Sequence, residues 1–249
     1  MKQSVKLVAG NWKMHGLSSS LEEAWRLRSA LEAEPASCRT ALFPPATLID
    51  RMASVLAGGS VELGGQDCHD KPAGAFTGSV SAEMLADAGA QMVILGHSER
   101  RTLLGETCGL VRDKVLAAIA AGLEPIVCIG ESLEQREAGD AVAVVTAMIE
   151  NSLPLEIAER RFSVAYEPIW AIGTGHTPTL GQIHDVHAAI RQAVVRRLGQ
   201  AAGHVPILYG GSVKPDNAQA IMATPEVGGV LVGGASLRAD DFLAIVRAA

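Results

Sequence analysis

The chain has 249 residues, near the roughly 250 of one (β/α)8 barrel, although that length also admits two ordinary domains. Apolar residues make up 48% and aromatics only 4%, so a core must come from Ala, Val, Leu and Ile, which suits strands buried on both faces. A formal charge of −6 without a basic cluster argues against a nucleic-acid footprint, and no apolar run approaches the roughly 20 residues that cross a bilayer.

The opening MKQSVKLVAGNWK has no apolar signal core before a small-residue cleavage site, so a cytoplasmic protein is expected. Cys38, Cys68, Cys108 and Cys128 are scattered without a Cys-x-x-Cys pair and read as free thiols of a reducing compartment. Cys68 beside His69 lacks a second pair at ligand spacing, so no metal site is expected.

Short β-branched runs alternate with amphipathic stretches along the chain, with no linker or low-complexity segment between them. Strands are expected at Val5–Ala9, Arg39–Phe43, Val61–Gly64, Met92–Leu95, Glu124–Cys128, Phe162–Ala165, Val205–Leu208 and Gly229–Val232. Helices are expected at Leu21–Leu31, Val111–Ala121, Ile183–Leu198 and Asp240–Ala248, where apolar residues recur three or four apart. A doubly wound open sheet shares this alternation, but its dinucleotide-binding form places G-x-G-x-x-G after the first strand. Gly10-Asn11-Trp12-Lys13 stands there instead. The expectation is therefore an α/β fold, a single (β/α)8 barrel with a parallel eight-stranded closed sheet, covering residues 1–249 as one domain.

Active sites of such barrels lie beyond the C-terminal ends of the strands. Strand one leads into Asn11 and Lys13, which extended-chain alternation would point to the same side of Trp12; taken alone, Lys13 reads as a solvated lysine. Strand four runs into His97-Ser98-Glu99, and a helix beginning there would lower the imidazole pKa. Strand six ends before Glu167-Pro168, where the carboxylate reads as a positioned general base. The loop from Pro168 to Pro178 sets apolar residues beside glycines, as a lid would. Strands seven and eight end in Gly210-Gly211-Ser212 and Gly233-Gly234, whose backbone amides could approach an anion at the usual barrel phosphate site.

Together the segments Gly10–Met14, Leu95–Arg101, Tyr166–Thr177, Tyr209–Val213 and Leu231–Leu237 resemble the signature blocks of the triosephosphate isomerase family, the family of the TIM barrel. Gly74-Ala75-Phe76-Thr77-Gly78 and Cys128-Ile129-Gly130-Glu131 add two further blocks, so the resemblance spans the chain in order. It implies a cofactor-independent isomerase in glycolysis and gluconeogenesis that interconverts dihydroxyacetone phosphate and D-glyceraldehyde 3-phosphate through an enediolate. Glu167 would be the base and His97 a neutral electrophile, with Asn11 and Lys13 stabilising negative charge; this family is itself the standard example of that arrangement. Glu99 would orient Lys13. Backbone amides of Gly173, Ser212, Gly233 and Gly234 would hold the phosphate, and the lid would keep water from an intermediate that can eliminate it.

The resemblance also implies a homodimer through the loop around Gln66–Gly78, with Thr77 supporting the partner's Asn11 and Lys13 region. His176, Ser79 and Leu104 depart from the family's common lysine, glutamate and phenylalanine. Ser79 removes a carboxylate used between subunits, and His176 could make lid closure pH-dependent. Two other readings stay open: a Schiff-base lyase using Lys13, and a barrel that binds sugar phosphates without turnover.

Overall fold

The computed structural model describes residues 5–172 and 177–249. Its strands are β1 (Leu7–Asn11), β2 (Arg39–Phe43), β3 (Val61–Gly65), β4 (Met92–Leu95), β5 (Glu124–Ile129), β6 (Ser163–Tyr166), β7 (Ile207–Tyr209) and β8 (Gly229–Val232). Each pairs in parallel with the next. The ring closes because Leu7 of β1 lies opposite both Arg39 of β2 and Gly229 of β8. Gly229 sits at φ 147°, and a Cβ there would stand 1.9 Å from the Leu7 carbonyl oxygen, so closure at this seam requires glycine.

The helices are α1 (Leu21–Ala33), α2 (Ile49–Leu56), α3 (Ala82–Asp87), α4 (Ser98–Leu104), α5 (Cys108–Ala120), α6 (Leu133–Glu137), α7 (Ala141–Ser152), α8 (Leu180–Leu198), α9 (Ala218–Met222) and α10 (Ala239–Arg247). Side-chain alternation divides the core in two. Leu7, Ala9, Phe43, Ile94, Ile126 and Leu208 fill the barrel, whereas Val8, Val93, Val127 and Val164 face outward against helical residues such as Val115, Val145 and Ile190. Gly64 leaves room for Phe43: a Cβ there would stand 2.2 Å from the ring.

Strands β2, β4 and β8 lie at the expected residues, whereas several other boundaries differ from the sequence expectation for local reasons. Strand β1 lies two residues later, leaving Val5 57% exposed and carrying the ladder through Asn11. Strand β7 begins only after Pro206, which has no N–H to donate. Helix α8 begins at Leu180 rather than Ile183 because Thr179 and Gln182 form a reciprocal capping box, at 3.2 and 2.9 Å. Helix α5 likewise starts at Cys108, three residues before Val111, where the Thr107 hydroxyl accepts the Leu110 N–H.

Under the edge of the barrel mouth, Lys114 of α5 lies buried between Asp67, at 2.8 Å, and Glu106, at 2.5 Å. Arg100 of α4 joins the same two carboxylates at 2.8 and 2.7 Å, so the cluster fastens α4 to the β3 loop and to α5. Removing one member leaves buried charge short of a partner. Lys114→Met should therefore lower stability by about 3 kcal/mol, read as an earlier urea midpoint at unchanged slope. A loss well under 1 kcal/mol would mean that Arg100 neutralises both acids alone.

Candidate active site

The strand ends converge on a cavity of about 330 Å³ lined by Asn11, Lys13, His97 and Glu167 together with Ser212, Gly233 and Gly234. Asn11 closes β1, and its side-chain oxygen accepts the Lys13 N–H at 3.0 Å. Lys13 does not continue the extended chain as expected: it turns back at φ 53°, a left-handed conformation costly for a residue with a Cβ. The strain is held in place from several sides. Trp12 is fully buried with its indole N–H on the Ser236 carbonyl at 3.0 Å, and the Gln66 amide donates to the Lys13 carbonyl at 2.8 Å. The Lys13 ammonium then reaches Glu99 Oε1 at 2.6 Å.

His97 caps α4 immediately after β4. Its Nδ1 accepts the Glu99 N–H at 3.2 Å, so the imidazole proton sits on Nε2, which donates to Glu167 Oε1 at 2.8 Å. The other carboxylate oxygen of Glu167 accepts the Ser98 N–H at 2.9 Å. Glu167 is 2% exposed just beyond β6, and its own N–H donates to the Ile129 carbonyl of β5 at 2.8 Å. That close approach needs Gly130, where a Cβ would fall 1.7 Å from the Glu167 carbonyl oxygen.

These contacts set the protonation energetics. Burial favours the neutral acid at Glu167, but the imidazole and the hydrogen bonds from His97 and Ser98 prevail and hold the carboxyl below its ordinary range. Burial lowers the imidazole, yet the facing Glu167 carboxylate outweighs it. His97 therefore stands above its ordinary value, opposite to the direction expected from the helix terminus alone.

The residues singled out from sequence are thus mostly neighbours. His97 meets Glu167, Glu99 meets Lys13, and Asn11, Ser212, Gly233 and Gly234 line the same cavity. Gly173 and His176 lie outside the described residues. Sequence reasoning passed over Lys214 and the Ser98 amide, and it placed Gln66 in the subunit loop, Ile172 in the lid and Leu231 in a signature block without giving them a contact in the site; Ile172, Lys214 and Leu231 also line the cavity. It also gave no role to Glu131. This fully buried carboxylate receives the Tyr166 hydroxyl and the Trp170 indole N–H, each at 2.9 Å, and so ties the end of β6 to the start of the Pro168–Pro178 segment.

A closed parallel barrel that sets a carboxylate and an imidazole in hydrogen-bond contact at the wall of a glycine-rimmed cavity has the architecture of a barrel enzyme for proton transfer on small anionic molecules. Comparison with known proteins narrows this class. The family model described as triosephosphate isomerase matches residues 6–249. The triosephosphate isomerase of Caulobacter vibrioides is 59% identical over 97% of this chain and 96% of its own length, and that of Xanthobacter autotrophicus is 54% identical over the same shares. The crystal structure of triosephosphate isomerase from Bartonella henselae superposes with a TM-score of 0.91 at 42% identity, over 98% of both chains. The chain belongs to the triosephosphate isomerase family.

Proposed function

We propose that this chain, working as one barrel domain over residues 1–249, interconverts dihydroxyacetone phosphate and D-glyceraldehyde 3-phosphate. The observation that carries the reading is the Glu167–His97 contact at 2.8 Å on the wall of the cavity shared with Lys13 and the glycine loops. Glu167 removes a proton from the carbon beside the substrate carbonyl and returns it to the neighbouring carbon. In the first step the electron pair moves onto the carbonyl oxygen. In the second, a pair on the other oxygen forms the new carbonyl as the neighbouring carbon takes the proton. His97 carries the hydroxyl proton from that oxygen to the first, so the reaction needs no cofactor and no metal.

His97 supplies the acidic partner. With Nδ1 occupied by the Glu99 amide, its one proton points from Nε2 into the site. When the substrate oxygen replaces Glu167 as acceptor of that proton, two things change together. The imidazole polarises the carbonyl, and the carboxylate loses the hydrogen bond that kept it a weak base. Asn11 and Lys13 face the developing oxyanion, Glu99 positions the Lys13 ammonium, and the amides of Ser212, Gly233 and Gly234, together with Gly173, hold the phosphate dianion. Local amides and Lys13 explain how a chain of net charge −6 takes a dianionic substrate.

A Schiff-base lyase would need a lysine in an apolar pocket, whereas Lys13 is engaged by Glu99. A silent barrel would bind without turnover. Purified protein, glyceraldehyde 3-phosphate and a coupled dehydrogenase decide between these: rapid loss of cofactor absorbance supports the isomerase, and binding without turnover sinks it.

The chain acts as a cytoplasmic homodimer in this reading, without nucleic-acid or membrane partners. Among the described residues no helix is long and apolar enough to cross a membrane. The segment from Lys71 to Ser79 is exposed at every position, and Met14, Leu17, Phe76, Leu103 and Leu104 are exposed apolar side chains, Met14 at 94%. Covering such residues is the ordinary role of a subunit contact. Thr77 of one copy then lies against the Asn11–Lys13 turn of the other. Sedimentation should give twice the 25.9 kDa chain mass, and a fully active monomer would refute the assembly.

A further inference from the structure

Arg101 stands in the last turn of α4, and its guanidinium turns back beneath the helix rather than out to solvent. Nε donates to the Gly96 carbonyl at 2.8 Å, Nη2 to the Cys128 carbonyl at 3.1 Å and the Ser152 hydroxyl at 3.3 Å, and Nη1 to Cys108 Sγ at 3.4 Å. None of these four acceptors is a carboxylate. A charged fork directed at main-chain oxygens gives fixed geometry through several parallel bonds, which a lone ion pair does not.

The two carbonyls matter through their neighbours in the chain. Gly96 directly precedes His97. Cys128 directly precedes Ile129, whose carbonyl accepts the N–H of Glu167 at 2.8 Å. The guanidinium thus bridges the main-chain unit that carries the imidazole to β5, the strand whose Ile129 carbonyl holds the Glu167 main chain. The site is built to admit it: Gly96 adopts φ 65°, and a Cβ there would stand 2.9 Å from Arg101 Nη2 and 2.7 Å from Val111.

We propose that Arg101 is a positioning residue that sets the separation of His97 Nε2 and Glu167 Oε1 by cross-linking the ends of β4 and β5, without touching the substrate. The assignment rests on the acid–base reading of that pair given above. Without the fork, α4 and its His97 cap shift relative to β5, and the proton-transfer geometry loosens. A misplacement near 1 Å of this kind costs on the order of 10²-fold in rate. Phosphate binding rests on the loops after β7 and β8, which the fork does not touch, and is left alone.

The test compares Arg101→Met and Arg101→Lys with wild type, with Ser152→Ala as the control that removes only one of the fork's outer acceptors. Arg101→Met should lose about 10²-fold in kcat, with KM and the inhibition constant of inorganic phosphate unchanged. Arg101→Lys, which reaches one carbonyl but cannot bridge both, should fall between. The acid limb of kcat/KM should move to higher pH in both, because a carboxylate released from His97 binds its proton more readily.

Nitrogen-15 resonances of the His97 ring, recorded without substrate, should show Nε2 losing its hydrogen bond in the variants, a result independent of whether the chain isomerises anything. Wild-type kcat and unchanged ring resonances in Arg101→Lys would overturn the proposal, as would equal losses of kcat and phosphate affinity with unchanged resonances. If Arg101→Met does not fold, Arg101→Lys carries the decision.

Discussion

Glu167→Gln should lower kcat by about 10³-fold, within the range of a positioned general base, while KM changes little. The amide keeps the volume of the carboxylate, so the packing beyond β6 and the main-chain bond to Ile129 at 2.8 Å survive. What disappears is the ability to take a proton. The geometry adds a second effect: the glutamine must present its oxygen to His97 or to Ser98, since both are donors and Glu167 accepts from each, at 2.8 and 2.9 Å. One contact is lost, and the cost falls on local order rather than on phosphate binding. Steady-state kinetics with a thermal melt separates these contributions. A kcat within tenfold of wild type would remove Glu167 from the role of base.

Lys13→Met should cost about 10²–10³-fold in kcat/KM, the size expected on removing one preorganised stabiliser of developing charge, and here both kcat and KM should worsen. The ammonium faces an oxyanion that exists fully only in the intermediate, so its loss lowers kcat. It also contributes positive field beside the glycine loops of a cavity that holds the Glu167 carboxylate, so its loss raises KM. The effort visible around Lys13 supports this expectation. A non-glycine residue held at φ 53° by Asn11, Gln66 and Glu99 indicates strain retained for the placement of its side chain. Lys13→Arg, longer and planar, should not restore the rate. If Lys13→Met affected KM alone, the lysine would be a binding group only.

The barrel was legible because its signals are local. Apolar runs such as Met92–Leu95 and Gly229–Val232 are bounded by polar residues and glycines, and the structure places both strands at those limits. Asn11, His97 and Glu167 stood out for the same reason, each being the first polar side chain after an apolar strand. Lys13 reaches the cavity, but through a left-handed turn rather than the alternation that suggested it.

The features that escaped sequence reading depend on distance along the chain or on main-chain atoms. Gln66 meets Lys13 across 53 positions, and the Ser98 amide meets Glu167 across 69. A backbone donor has no side-chain signature at all. The direction of the His97 shift could not be read either, because it turns on a carboxylate distant in the chain that lies 2.8 Å away in space.

The central claim is that a base on the protein carries the proton between adjacent carbons. Running the conversion of dihydroxyacetone phosphate in deuterium oxide and analysing the aldehyde product by NMR tests it directly. A proton that passes through the Glu167 carboxylate can exchange with solvent before it returns, so deuterium should appear at carbon 2 of glyceraldehyde 3-phosphate. Product formed at full rate with no solvent label at that carbon, as direct hydride migration between the carbons gives, would contradict the account.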